Sequence, residues 1–136
     1  MDIRQKINRL KEYLSVVAEH KEVYDAYRMF ISQMEGVGAQ TISDMPKGNN
    51  QSDKMAANMA KLEELEQRVA YKLSSLLAAR LATEETINSL DSSVFRRILH
   101  LRYIEGLKWE EICVKTNYSW RQVHRYHVQA LEIINV

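Results

Sequence analysis

Within six consecutive positions the chain places Trp120, Arg121, Gln122, His124 and Arg125. An arginine can donate in parallel to O6 and N7 of guanine, and a glutamine can pair with N6 and N7 of adenine. His124 adds a ring nitrogen, and Trp120 adds a broad surface for a sugar or a base. His127 is a further candidate for the same face. One acid, Glu132, lies in the stretch from Ser119 to Asn135, near its far end. A solvated helix face usually mixes signs, and this one does so only in its last turn. These residue types point to groove contacts with double-stranded DNA rather than to bond-making chemistry.

Such side chains need a helix whose opposite face is anchored. Val123, Tyr126, Ala130, Leu131 and Ile134 recur at three- and four-residue spacing and share one face of a helix over 119–135. Ser119 is its expected N-cap, and Gln122 reaching back would complete a capping box. A shorter helix precedes it, from about Trp109 to Thr116. Ile112 and Cys113 form its inner side with Trp109 and Thr116 flanking, and Glu110, Glu111 and Lys115 face outward. Asn117 stands where the turn requires a residue that tolerates positive φ. Upstream, Asp91 is read as the cap of a helix from Ser92 to about Glu105, whose Phe95, Ile98, Leu99 and Tyr103 face the pair. Gly106 ends it at the left-handed position that favours glycine.

The segments Leu101-Arg-Tyr-Ile-Glu-Gly-Leu-Lys-Trp-Glu-Glu-Ile112, Tyr118-Ser-Trp-Arg-Gln-Val123 and Ala130-Leu131 resemble region 4 of sigma-70 type factors. They resemble more closely the small phage-encoded late-gene transcription regulators of the ArpU and RinA kind, over about Ile87 to Ile134. The resemblance implies a C-terminal three-helix, sigma-region-4-like helix-turn-helix. It places Trp120, Arg121, Gln122, His124 and Arg125 against bases, and Lys108, Lys115, Tyr118 and Ser119 near phosphates. RNA polymerase is an implied partner on the same ground alone. Two positions depart from the pattern. Lys108 stands where Thr or Ser usually caps the first helix, and Cys113 stands where Ala is usual.

The first ninety residues are expected to carry and pair this module. Ile3, Ile7, Leu10, Leu14 and Val17 form a coiled-coil-like seam in a helix from about Asp2 to Met34. A second row, Val23, Tyr27, Phe30 and Met34, takes over near His20, as if the helix changed packing partner. At about 1.5 Å per residue the helix is on the order of 50 Å long, and it must bury its stripe to be stable. Gly, Pro and Asn cluster between Gly36 and Asn50 and predict a loop over 36–51. From Ser52 or Asp53 a second long helix follows, with Met55, Met59, Leu62, Leu65, Val69, Leu73 and Leu76 as its seam, joined by Leu77 and Leu81. The expected organisation is a long helix over 1–35, the loop, a second long helix over 52–90 and the helix-turn-helix domain over 91–136. The two long helices form an antiparallel hairpin, or one or both seams pair with a second copy as a homodimer.

Four glycines and one proline in 136 residues favour an all-α chain. The formal net charge of +1 points to no partner, but from Asp91 onward seven Lys or Arg stand against five Asp or Glu, with three of the four histidines. That mild excess predicts modest, salt-dependent affinity for DNA. One cysteine excludes an internal disulfide and suits a reducing cytoplasm. No apolar run approaches the ~20 residues that span a bilayer, so no membrane partner is expected. No cofactor or metal is expected either. His124, His127 and His100 lack a Cys or carboxylate to complete a zinc set, Cys113 has no activating base, and adjacent Glu110 and Glu111 diverge on a helix. An enzyme is therefore the least favoured class. Two other classes compete with the regulator. One is a phage small terminase subunit, which would form a ring for DNA packaging. The other is a helical protein-interaction module that does not bind DNA.

Overall fold

The computed structural model describes residues 1–40 and 50–136, and the described residues are helical with no strand. Their helices are α1 (Ile3–Leu10), α2 (Glu12–Gln40), α3 (Asn50–Asn88), α4 (Ser93–Tyr103), α5 (Trp109–Thr116) and α6 (Trp120–Ile133). No helix is long and apolar enough to cross a membrane among these residues. The chain divides into two compact units, one made of Met1–Val17 with Ser75–Val136, the other of Ala18–Ser74.

The first unit is assembled around α6. Helices α4, α5 and α1 all pack against it, and α4 also meets α5. Its larger core joins Leu10 and Tyr13 from the N-terminal segment, Ile87 and Leu90 from the end of α3 and the turn after it, and Leu99, Tyr103 and Ile104 from α4 and its C-cap. Ala130, Leu131 and Ile134 complete it from the far end of α6. The expected seam Ile3, Ile7, Leu10, Leu14 and Val17 lies on this core in full. A second core, Leu101, Ile112 and Val123, holds the two C-terminal helices together beneath Leu107, Trp109, Cys113 and Tyr118. Lys6 Nζ donates to the carbonyl of Leu131 at 2.8 Å. That places a cation at the negative end of α6, where the unpaired carbonyls gather.

Several local expectations change. The first helix is not one run from Asp2 to Met34. It is interrupted at Lys11, whose N–H still donates to Ile7 and whose carbonyl accepts from Ser15, so the hydrogen-bond ladder runs across the break. It also continues to Gln40, and α3 begins at Asn50, so both edges of the expected 36–51 loop are helical. Residues 41–49 lie outside the described residues. Ser92, not Asp91, caps α4; its hydroxyl accepts from the Phe95 N–H at 3.3 Å. Arg96 instead secures Asp91 by donating to its carbonyl and to that of Leu90.

In the second unit, Lys72 pairs with Glu19 at 2.9 Å, and Lys61 lies 6.0 Å from the Phe30 ring centre. Stepping eleven residues forward on α2 corresponds to stepping eleven back on α3, so these segments run in opposite directions. Leu65 is the buried apolar side chain of this unit among the described residues. Met55 and Met59, read as part of the α3 seam, are exposed, as are Met29 and Tyr71.

Candidate nucleic-acid interface

The turn before α6 is built by two residues. Asn117 adopts φ +60°, the left-handed conformation that reverses the chain after α5. Ser119 then accepts from the Gln122 N–H at 3.2 Å and starts α6. The reciprocal half of the expected capping box is absent, because the Gln122 amide donates to Tyr126 Oη at 3.0 Å. Lys108 caps α5 with no side-chain hydrogen bond, as an ammonium group must.

With Val123, Ala130 and Leu131 buried, α6 turns Trp120, Arg121, Gln122 and Arg125 outward. Trp120 is 51% exposed although it is a large apolar residue. Arg121 and Arg125, one turn apart, stand about 6 Å from each other along the axis. Their side chains, and those of Lys108 and Lys115, make no hydrogen bond or ion pair with any described residue. Lys108, Lys115 and Ser119 are exposed. Tyr118 is half-buried, lying edge-on to Tyr126 at 5.4 Å between ring centres.

Two histidines differ sharply from the outward arginines. His124 is wedged between Trp120, 4.3 Å away between ring centres, and Trp109, 4.6 Å away. Its Nε2 is shielded from solvent and has no hydrogen-bond partner among the described residues. His127 is not on the outward face at all. It is buried, with Nε2 2.8 Å from Tyr103 Oη and its ring 4.7 Å from Trp109. Burial, aided by electrostatic interaction with His124 and Arg102, pushes the His127 pKa down to about 4. His127 is therefore neutral near pH 7 and supplies no cation for a phosphate. The spacing already held this answer, since His127 follows Val123 by four positions and precedes Leu131 by four, on the inner stripe.

Two further basic residues escaped the sequence reading as site candidates. Arg97 donates to the carbonyl of Lys115 at 3.1 Å, placing its charge at the C-terminus of α5. Arg102 stacks its guanidinium 4.5 Å from the Trp109 ring centre and donates to the Leu107 carbonyl. No sequence signal marks either one, because each contact joins positions brought together only by the fold. Among the described residues no three His, Cys, Asp or Glu side chains gather as a metal set. Comparison with protein-family models, with curated proteins and with solved structures finds none that matches this chain.

Proposed function

We propose that the chain is a sequence-specific, DNA-binding transcription regulator of phage or prophage type, as its resemblance to the ArpU- and RinA-like regulators implies. In this reading α4, α5 and α6 form a sigma-region-4-like helix-turn-helix, and α6 enters the major groove. The observation that carries it is the outward pair Arg121 and Arg125. Both guanidinium groups are exposed and unpaired on a helix whose underside is fully anchored by Val123, Ala130 and Leu131. Trp120 and Gln122 flank the pair at the start of the helix, where contacts to base edges concentrate. The exposed cations Lys108 and Lys115 serve as phosphate contacts that set the register of the module on the duplex.

The long helices form an antiparallel hairpin arm that pairs with a second copy. The exposed side chains Met29, Met55, Met59 and Tyr71 offer apolar surface for such pairing. RNA polymerase is a further partner in this reading, by analogy with sigma region 4. Selection of bound duplexes from a random pool tests the whole proposal. Enrichment of a short motif with two half-sites is expected. A ring-sized assembly that retains DNA without preference would point instead to a packaging role.

A further inference from the structure

A second basic feature lies in the first unit, on the N-terminal segment rather than on α6. A recess of about 380 Å³ is lined by Lys11, Leu14, Ser15, Arg102, Tyr103 and Gly106. Its polar lining residues are Lys11, Arg102, Ser15 and Tyr103, whose phenol is already engaged by His127, and no carboxylate is among them. Lys11 and Ser15 are one helical turn apart, with the Ser15 N–H donating to the Lys11 carbonyl, so both side chains leave the same face. Gly106 allows this face to lie against the α4–α5 turn. A Cβ there would fall 3.3 Å from Leu14 Cδ2. Arg102 is held in place by the Leu107 carbonyl and the Trp109 ring, which leaves other guanidinium N–H groups to donate. Lys11 is exposed and its side chain has no partner among the described residues.

The recess is close to the candidate interface. From Arg102 the path runs to Trp109 at 4.5 Å, on to His124 at 4.6 Å and on to Trp120 at 4.3 Å. Those three steps set an upper bound on the distance from the Arg102 guanidinium to the Trp120 ring, and that bound is comparable to the roughly 12 Å width of the major groove. The Arg102 side of the recess therefore lies no farther from the start of α6 than about one groove width.

We propose that this recess binds a backbone phosphate of the duplex, so that the N-terminal segment clamps DNA alongside α6. The inference rests on the DNA-binding reading above and adds a contact that the helix-turn-helix alone does not contain. A phosphate fits the chemistry because the anchored Arg102, the exposed Lys11 and a hydroxyl can share its oxygens, while a phosphate contact carries no base preference.

The test measures duplex affinity against salt for the intact chain, for Lys11→Ala and for Lys11→Arg. Lys54→Ala, in the other unit, serves as a matched loss of one charge. Lys11→Ala is expected to weaken specific and scrambled duplexes equally, by roughly three- to tenfold, and to lower the slope of log K against log salt by about 0.9. Lys11→Arg should restore both. Titration with inorganic phosphate at constant ionic strength separates the two sources of the anion, and competition with the duplex is expected. An unchanged slope for Lys11→Ala, an equal drop for Lys54→Ala, or free phosphate that binds at Lys11 without displacing duplex would each overturn the clamp. Failure of the unaltered chain to retain any duplex at low salt would instead overturn the DNA-binding reading, and the clamp with it.

Discussion

Tyr103 and His127 meet through a 2.8 Å contact between Oη and Nε2, in the same unit as the outward arginines of α6. Burial acts on both: it pushes the Tyr103 phenol up to about 12 and the His127 imidazole down to about 4. The pair is thus neutral on both sides across the physiological range. Removing one partner leaves a buried polar atom unsatisfied, so Tyr103→Phe should destabilise the unit by about 1–3 kcal/mol in denaturant titrations at pH 7.

The same pair sets an acid limit. In the unfolded chain His127 titrates near the ordinary value of about 6.5, whereas in the fold it stays neutral down to about 4. Between those values the unfolded state binds more protons, so stability falls as pH falls. The contribution is fully present above about pH 6.5 and lost by about pH 4, on the order of 3 kcal/mol in total. Chemical unfolding at a series of pH values checks this, with His127→Leu as the variant that should flatten the decline.

Gly106→Ala should cost about 1–2 kcal/mol. The residue holds φ +69°, which L side chains adopt at a cost, and the added Cβ would press on Leu14. Asn117 also holds a left-handed conformation, but with φ +60° in an exposed turn. Asn117→Gly should therefore change the unfolding midpoint little, whereas Asn117→Val should lower it clearly.

The N-terminal segment is part of the core rather than an appended arm. Leu10 is 2% exposed and Tyr13 6% exposed. Leu10→Ala should destabilise the first unit by about 2–5 kcal/mol through lost contacts and a residual cavity. A chain lacking the first seventeen residues should fail to hold α4, α5 and α6 in a cooperative fold. Circular dichroism and thermal unfolding of both variants would show it.

How much of this was readable in advance depends on the kind of residue. The turn at Asn117, the cap at Ser119, the stop at Gly106 and the inner faces of α5 and α6 follow from local chemistry, which short sequence spacing records well. The burial of Ile3, Ile7, Leu10, Leu14 and Val17 was legible as a stripe. That it packs on α6, Tyr103 and Ile87 was not, because periodicity says that a face is covered without saying by what. His127 was misplaced because an imidazole is polar by type, though its position on the inner stripe was available. Gln122 had two partners within reach, Ser119 and Tyr126, and only the tertiary position of Tyr126 decides between them. In the tilted cluster of Trp109, His124 and Trp120, the Trp120–His124 pair was legible as a four-residue step on α6, but its meeting with Trp109 of α5 was not.

The second unit should be the less protected one. Leu65 is its buried apolar side chain among the described residues, so the amides of its described residues should exchange through lower-energy openings than those of α4 and α6. If copies pair through Met29, Met55, Met59 and Tyr71, that protection rises with protein concentration. Hydrogen exchange at two concentrations reads both effects.

Binding of the selected duplex by the double variant Arg121→Ala, Arg125→Ala most directly tests the proposal that α6 reads DNA. Each arginine that makes a bidentate base contact should contribute about 1–3 kcal/mol of discrimination. The double variant is expected to keep its fold and its salt-dependent hold on scrambled duplex while losing its preference for the selected one. Unchanged preference in a folded double variant would contradict the proposal.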